Sequence, residues 1–304
     1  MKSNESSVTS LVSAFSRAYH SRYDTPKIFD DFLAAELISA EEMEMISRNM
    51  IQGIAFFNEE IADRFQDQPD EILRWITQVY LAPTPLARAA YCEQVLLNEW
   101  KLGVKQYVVL GAGLDTFCFR HPELSDTLEI FEADHPATQE SKMKRLDKAR
   151  LPILQNLHLV PMDFSHSFSY QPLEDKGFKN ERTFFSLLGV TYYLTKEENA
   201  SLISSLFSEL PQGSSIVLDF ADENLFVEKG KSNRVEHIVK MAAAGGETMK
   251  SCFAYGEIEL MLEKAGLLIY EHLSPEKIQE LYFCGREDDL SAFETIHYIH
   301  AVKK

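Results

Sequence analysis

From Lys105 onward, short apolar segments alternate with longer helix-patterned ones, and this rhythm is the strongest constraint on the fold. QYVVLGAG opens the series as a continuous apolar run ending in glycines, the signature of a buried parallel strand and a tight turn. LEIFEAD (128–134) is the next strand candidate, and PATQESKMKRLDKAR (136–150) the helix after it. NLHLVPMD (156–163), RTFFSLLG (182–189) and SSIVLDFAD (214–222) continue the strands. TKEENASLISSLFSELPQG (195–213) reads as a helix with Glu198 at the capping-box position. YGEIELMLEKAGL (255–267) is a helix, LLIYEHL (267–273) a sixth strand, and the alternating ETIHYIHAV (294–302) a terminal edge strand. Strands alternating with helices predict an α/β fold, and six or seven strands suit a doubly wound parallel sheet better than an eight-stranded barrel.

Residues 1–103 carry no such rhythm. Leu11, Phe15, Ala18 and Tyr19 recur at helix spacing, as do Met43, Ile46, Met50, Ile54 and Phe57. Pro83 and Pro85 precede a further helix ending near Gly103. The expected organisation is a helical N-terminal cap over 1–103 and a sheet domain over 104–304. The latter carries an insertion at about 223–254 that lacks a strand pattern.

Charge and cysteine content narrow the function. Lys plus Arg total 30 against 47 Asp plus Glu, a formal net charge of −17, which disfavours nucleic acid or an anionic membrane as partner. Cys92, Cys118, Cys252 and Cys284 form no C-x-x-C pair and no metal-ligand spacing with histidine, so no disulfide framework or metal site is expected. The N-terminus has no apolar signal-peptide core, and no stretch approaches 18 apolar residues; a cytoplasmic protein without a membrane span is expected.

The chemistry concentrates at VLGAGLDT (109–116). Gly111 and Gly113 fall where the first strand turns, and without Cβ atoms they admit close approach of a ligand. The dinucleotide fingerprint would require a third glycine where Thr116 stands, which weakens an NAD-dependent oxidoreductase reading. Asp134 ends the second strand candidate 21 positions after Gly113, suited to accept from a ribose diol, with Glu132 on the same strand face. Asp163, at the end of the third, is placed to accept from an adenine amino group with Phe164 against the ring; a helix cap or turn role is its alternative.

Arg88 in LARAAYCEQ, then VVLGAGLDTFCFR, FEADHPATQESKMKRL, VPMDF and SLLGVTYYL, in this order, resemble the leucine carboxyl methyltransferase-like family. The resemblance runs from about Ser10 to the C-terminus. It implies a class I S-adenosylmethionine-dependent enzyme with a mostly parallel, seven-stranded, Rossmann-like methyltransferase sheet. Its members include protein-phosphatase carboxyl methyltransferases and polyketide O-methyltransferases. Carried over by position, Arg88 pairs with the cofactor's methionyl carboxylate. Gly111 and Gly113 line the methionine portion, Asp134 takes the ribose, and Asp163 with Phe164 the adenine. Arg17 is a second carboxylate candidate. The chain departs from the family at Leu188, where an acidic residue usually precedes Gly-Val; only backbone carbonyls of 187–189 remain there to meet the cofactor's ammonium.

The reaction expected is O-methylation of a carboxylate or hydroxyl of a small, polyketide-like acceptor. An ionised carboxylate needs no general base, whereas an alcohol or phenol does. Tyr193 is the preferred catalytic candidate, as an orienting phenol, with Tyr192, Asp219, Asp222 and Tyr255 as further acceptor-pocket candidates. His297 and His300 read as structural. A non-catalytic cofactor-binding scaffold is the alternative, supported by Leu188. The oligomeric state is left open.

Overall fold

The computed structural model describes residues 7–164 and 168–304. Seven strands form one sheet: β1 (Gln106–Leu110), β2 (Glu129–Asp134), β3 (Leu157–Pro161), β4 (Thr183–Leu187), β5 (Ser215–Ala221), β6 (Leu267–Leu273) and β7 (Ile296–Lys303). Their spatial order is β3-β2-β1-β4-β5-β7-β6. Strands β1 to β5 pair in parallel, and β7 runs antiparallel to both neighbours. The chain therefore leaves β1 in one direction to build β2 and β3, then returns to β4 on the other side. That reversal opens a crevice beyond the carboxyl ends of β1 and β4.

The sequence pattern places the C-terminal segment at a sheet edge; the structure corrects this. β7 inserts between β5 and β6, with most of its residues buried, while β6 is the exposed edge. Alternation along β7 gives a side chain to each face and does not reveal how many neighbours the strand has.

β1, β4 and β5 are buried at every residue, because helices cover both faces. Side chains alternate between two cores. Tyr107, Val109, Phe184 and Tyr298 join one, and Val108, Leu110, Phe185 and Ile299 the other.

The helices of eight residues or more are α1 (Val8–Tyr23), α2 (Ala40–Gln52), α3 (Pro69–Ile76), α4 (Pro83–Lys101), α5 (Pro136–Lys148), α6 (Lys196–Phe207), α7 (Arg234–Ala244) and α8 (Tyr255–Lys264). α4 packs Leu86, Tyr91 and Leu96 into the first core, and α6 and α8 pack Leu202, Ile203, Ile258 and Leu262 into the second. The expected capping box forms at Thr195 and Glu198, but α6 stops at Phe207 rather than running to 213, shortly before Pro211. The 223–254 stretch holds α7, a helical excursion.

α1, α2, α3 and the turn at Ala34–Leu37 bury Phe15, Leu37, Ile46, Trp75 and Ile76 together in a third core that also takes Leu114 and Leu146. These two last residues come from the glycine turn and from α5, so the N-terminal helices rest directly on the carboxyl edge of the sheet. Among the described residues, no helix is long and apolar enough to cross a membrane, and no cluster of three metal-ligating side chains occurs.

Candidate active site

The crevice is a cleft of about 580 Å3 bounded by the glycine turn, the ends of β2 and β4, α1, the start of α4 and residues Gly246–Lys250. Its floor is set by backbone. Gly111 and Gly113 adopt φ of +77° and +51°, in the left-handed region that favours glycine. A Cβ on Gly111 would lie 2.5 Å from Val190 Cγ2, and one on Gly113 would lie 2.9 Å from Ser10 Cβ. Both glycines are thus required by conformation and by packing.

Asp134 lines the cleft directly beside this turn. Its Oδ2 accepts from Gly113 N–H at 2.6 Å and its Oδ1 from His135 N–H at 2.6 Å. Burial raises its pKa above the ordinary carboxylate value, and the two backbone donors pull the other way. Each oxygen keeps a second lone pair. Glu132, two residues earlier, does not face the cleft. It is buried beneath the turn against Lys142 of α5, whose ammonium also donates to the Asp115 carbonyl at 2.7 Å. Burial pushes the Glu132 carboxyl up to about 7. Asp163 and Phe164 follow β3 and line the cleft wall.

Arg88 enters from α4 and is no surface arginine: its side chain is 15% exposed. Nη1 donates to Tyr192 Oη at 2.9 Å and to Asp219 Oδ2 at 3.0 Å. Burial works against its charge, but Tyr192 and Asp219 outweigh it and hold the guanidinium above its ordinary pKa.

With this geometry stands a match of residues 10–207 to leucine carboxyl methyltransferase. The chain belongs to that family. It is 68% identical over its full length, and the full length of the relative, to a Bacillus subtilis (strain 168) protein provisionally named S-adenosyl-L-methionine-dependent methyltransferase YktD. A Mycobacterium bovis (strain BCG / Pasteur 1173P2) protein with a provisional name of the same kind is 27% identical, covering 78% of this chain and 72% of its own. The chain is an S-adenosylmethionine-dependent methyltransferase with a Rossmann-like sheet.

Within this methyltransferase, the predicted site residues divide. Gly111, Gly113, Arg88, Asp134, Asp163, Phe164, Leu188 and Tyr193 all line one cleft, as does Arg17. Tyr192 and Asp219 are buried behind Arg88 rather than lining an acceptor pocket. Asp222 faces His297 at 3.4 Å, and Tyr255 is 40% exposed on α8, within 3.4 Å of Glu259; neither lines the cleft. His297 stacks on His272, and His300 is buried with its pKa pushed down to about 4. Arg17 is committed elsewhere: Nε donates to Asp31 at 2.8 Å and Nη2 to the Leu114 carbonyl at 2.8 Å.

Thr116, where a dinucleotide turn would have glycine, uses its hydroxyl to donate to Asp31 at 2.6 Å. Arg120, in the same motif, forks onto Glu93 of α4 at 3.1 and 2.6 Å. Asp31 and Glu93 carry no local pattern and escape sequence reasoning. So does the contact between Thr9 of α1 and the Glu247 carboxylate on the cleft lining. Tyr193 lies beside both residues. Burial lifts its phenol to about 12, aided by Glu247 and opposed by the Thr9 hydroxyl.

Proposed function

We propose that this methyltransferase delivers its methyl group to an oxygen of a small, polyketide-like acceptor, and that a carboxylate suits the site better than a hydroxyl. Tyr193 carries the reading. Its half-buried phenol lines the cleft and, like any phenol, is protonated at neutral pH, a state that burial reinforces by raising its pKa to about 12; it can donate a hydrogen bond and takes up no proton. An ionised carboxylate needs such an orienting donor and no base.

The cleft walls fit the cofactor. Gly111 and Gly113 leave backbone open where any Cβ would collide. Asp134 has lone pairs for the ribose hydroxyls, and Asp163 with Phe164 forms the wall assigned to the adenine. Arg88 has donors left for a carboxylate. Leu188 supplies an apolar wall, and backbone carbonyls near 187–189 would take the ammonium in place of an acidic side chain.

When bound, S-adenosylmethionine supplies a methyl group already activated by its positive sulfur. The chain's own task is alignment and exclusion of water, and orientation of this kind contributes at most about 7–11 kcal/mol. Tyr193 orients the acceptor oxygen. Thr9 of α1 and Glu247, both on the cleft lining, are joined by a hydrogen bond, and α1 covers the glycine turn through Ser10 and Arg17.

The test is transfer of labelled methyl from S-adenosylmethionine to panels of carboxylic acids, phenols and alcohols. A product that releases methanol in mild alkali is a methyl ester and supports the carboxylate. A stable ether moves the reading to hydroxyl, and label on nitrogen or carbon overturns O-transfer.

A further inference from the structure

The Arg88 guanidinium has five N–H donors, and two of them, both on Nη1, are spent on Tyr192 and Asp219. Among the described residues, Nε and Nη2 have no hydrogen-bond partner, although the side chain lines the cleft. One edge of the fork is held by protein and the other is open.

Asp219 is the fixed point of this arrangement. It lies on β5, is 0% exposed, and divides its carboxylate between two tasks. Oδ2 accepts from Arg88, and Oδ1 accepts from Gly189 N–H at 2.7 Å. Gly189 has φ of +74°, and a Cβ there would lie 2.7 Å from both Nη1 and Nη2 of Arg88. The guanidinium therefore rests against the bare Cα of the turn that follows β4. Thr191 ties the same turn to β5 again, donating to the Asp219 carbonyl at 2.7 Å. One buried carboxylate thus holds both the cation and the surface behind it.

We propose that Asp219, assisted by Tyr192, is a positioning residue that sets Arg88 to receive the cofactor's amino-acid carboxylate on its open edge. The inference rests on the Arg88 reading made above. Forked recognition of a carboxylate needs a guanidinium fixed in plane, because both bonds must align together. Without an acidic partner, a cation buried this far would also lose much of its preference for one pose. The turn itself offers no side-chain acid, since Leu188 is apolar. Asp219 is the acid that this chain ties to that turn.

The test compares two ligands by calorimetric titration. S-Adenosylhomocysteine has the amino-acid end; 5′-methylthioadenosine keeps the nucleoside and sulfur without it. In Asp219→Asn, the amide oxygen still accepts from Gly189, but the amide N–H2 group faces the Arg88 donors. The Kd for S-adenosylhomocysteine should rise about tenfold or more, while that for methylthioadenosine moves less than about twofold. Tyr192→Phe should shift the same ratio in the same direction, by about threefold. It also decides the matter if Asp219→Asn does not fold.

Arg88→Ala serves as the reference. If it selectively weakens S-adenosylhomocysteine while Asp219→Asn and Tyr192→Phe leave the ratio unchanged, the positioning role is overturned and the Arg88 reading stands. Equal weakening of both ligands by Asp219→Asn would mean a structural role only and also overturns it. If Arg88→Ala itself changes neither ligand, or both alike, the Arg88 reading fails and the inference falls with it.

Discussion

The two walls of the cleft are built by different means. On the sheet side, the functional groups sit within a few residues of a strand end. Gly111 and Gly113 follow β1, Asp134 ends β2, and Leu188 and Gly189 follow β4. Their positions are set by largely buried strands and by short hydrogen bonds such as that from Gly113 N–H to the Asp134 carboxylate. On the cap side, position depends on polar contacts between distant parts of the chain. Arg17 meets Asp31 and the Leu114 carbonyl, Arg120 meets Glu93, Arg145 meets Glu42, and Thr9 meets Glu247. An apolar core supports the cap beneath these contacts, but the surface it presents to ligand is polar and adjustable. On the proposed function, the sheet-side wall would serve the cofactor and the cap-side wall the acceptor.

The largest expected effect lies where the two walls meet. Arg88→Ala should raise the Kd for S-adenosylhomocysteine about 100-fold, the loss of a forked, charge-assisted pair worth ~3 kcal/mol. It also strands the Asp219 carboxylate, so the melting temperature should fall. A fall in melting temperature with unchanged affinity would place Arg88 among the structural ion pairs and dissolve the distinction drawn here. Asp134→Ala comes next. Loss of the acceptor beside the glycine turn should weaken S-adenosylhomocysteine about tenfold. Unchanged affinity for both this ligand and adenosine, measured by titration, would remove the ribose assignment.

The sheet wall was legible in the sequence because its determinants are local. A strand, a glycine turn and an acid at the next strand end lie along one stretch, and VLGAGLDT with FEADHP shows them directly. The resemblance added Arg88, which spacing alone does not bring to the cleft. The place of β7 was not legible, since alternation marks faces and not neighbours. Nor was the use of Asp219: an aspartate at the carboxyl end of a strand reads as a ligand contact, and only the fold shows it turned inward onto Arg88. Asp31 and Glu93 were hidden for a similar reason. Their partners lie far along the chain: Thr116 is 85 positions from Asp31, and Arg120 is 27 from Glu93.

Tyr193→Phe probes the junction with the acceptor. The ring and its packing remain, and only the donor is lost. We expect kcat/KM for a carboxylic acid to fall about fivefold, the scale of one hydrogen bond, with the Kd for S-adenosylhomocysteine unchanged. A matching loss of cofactor affinity would move Tyr193 to the cofactor wall.

The smallest effect tests how the cap is attached. Glu42 of α2 accepts both arms of Arg145 from α5, at 2.7 Å each, and this contact is the main reason its carboxyl falls from 4.5 to about 2. Between those values the unfolded chain binds more protons than the folded one, so stability rises with pH across that window. The contribution is complete above pH 4.5 and is lost as pH falls toward 2. Glu42 is 25% exposed, and solvent screening reduces the full linkage value to about 1–2 kcal/mol. Glu42→Gln should therefore lower stability by about that amount at pH 6, with the gap to the parent protein closing below about pH 3 in calorimetric melts. A gap independent of pH would mean that Glu42 acts through its capping of α2 at Ser39, which a glutamine also supplies in part. The cap would then be held by its apolar core rather than by charge, and the contrast between the two walls would be one of ligand chemistry and not of attachment.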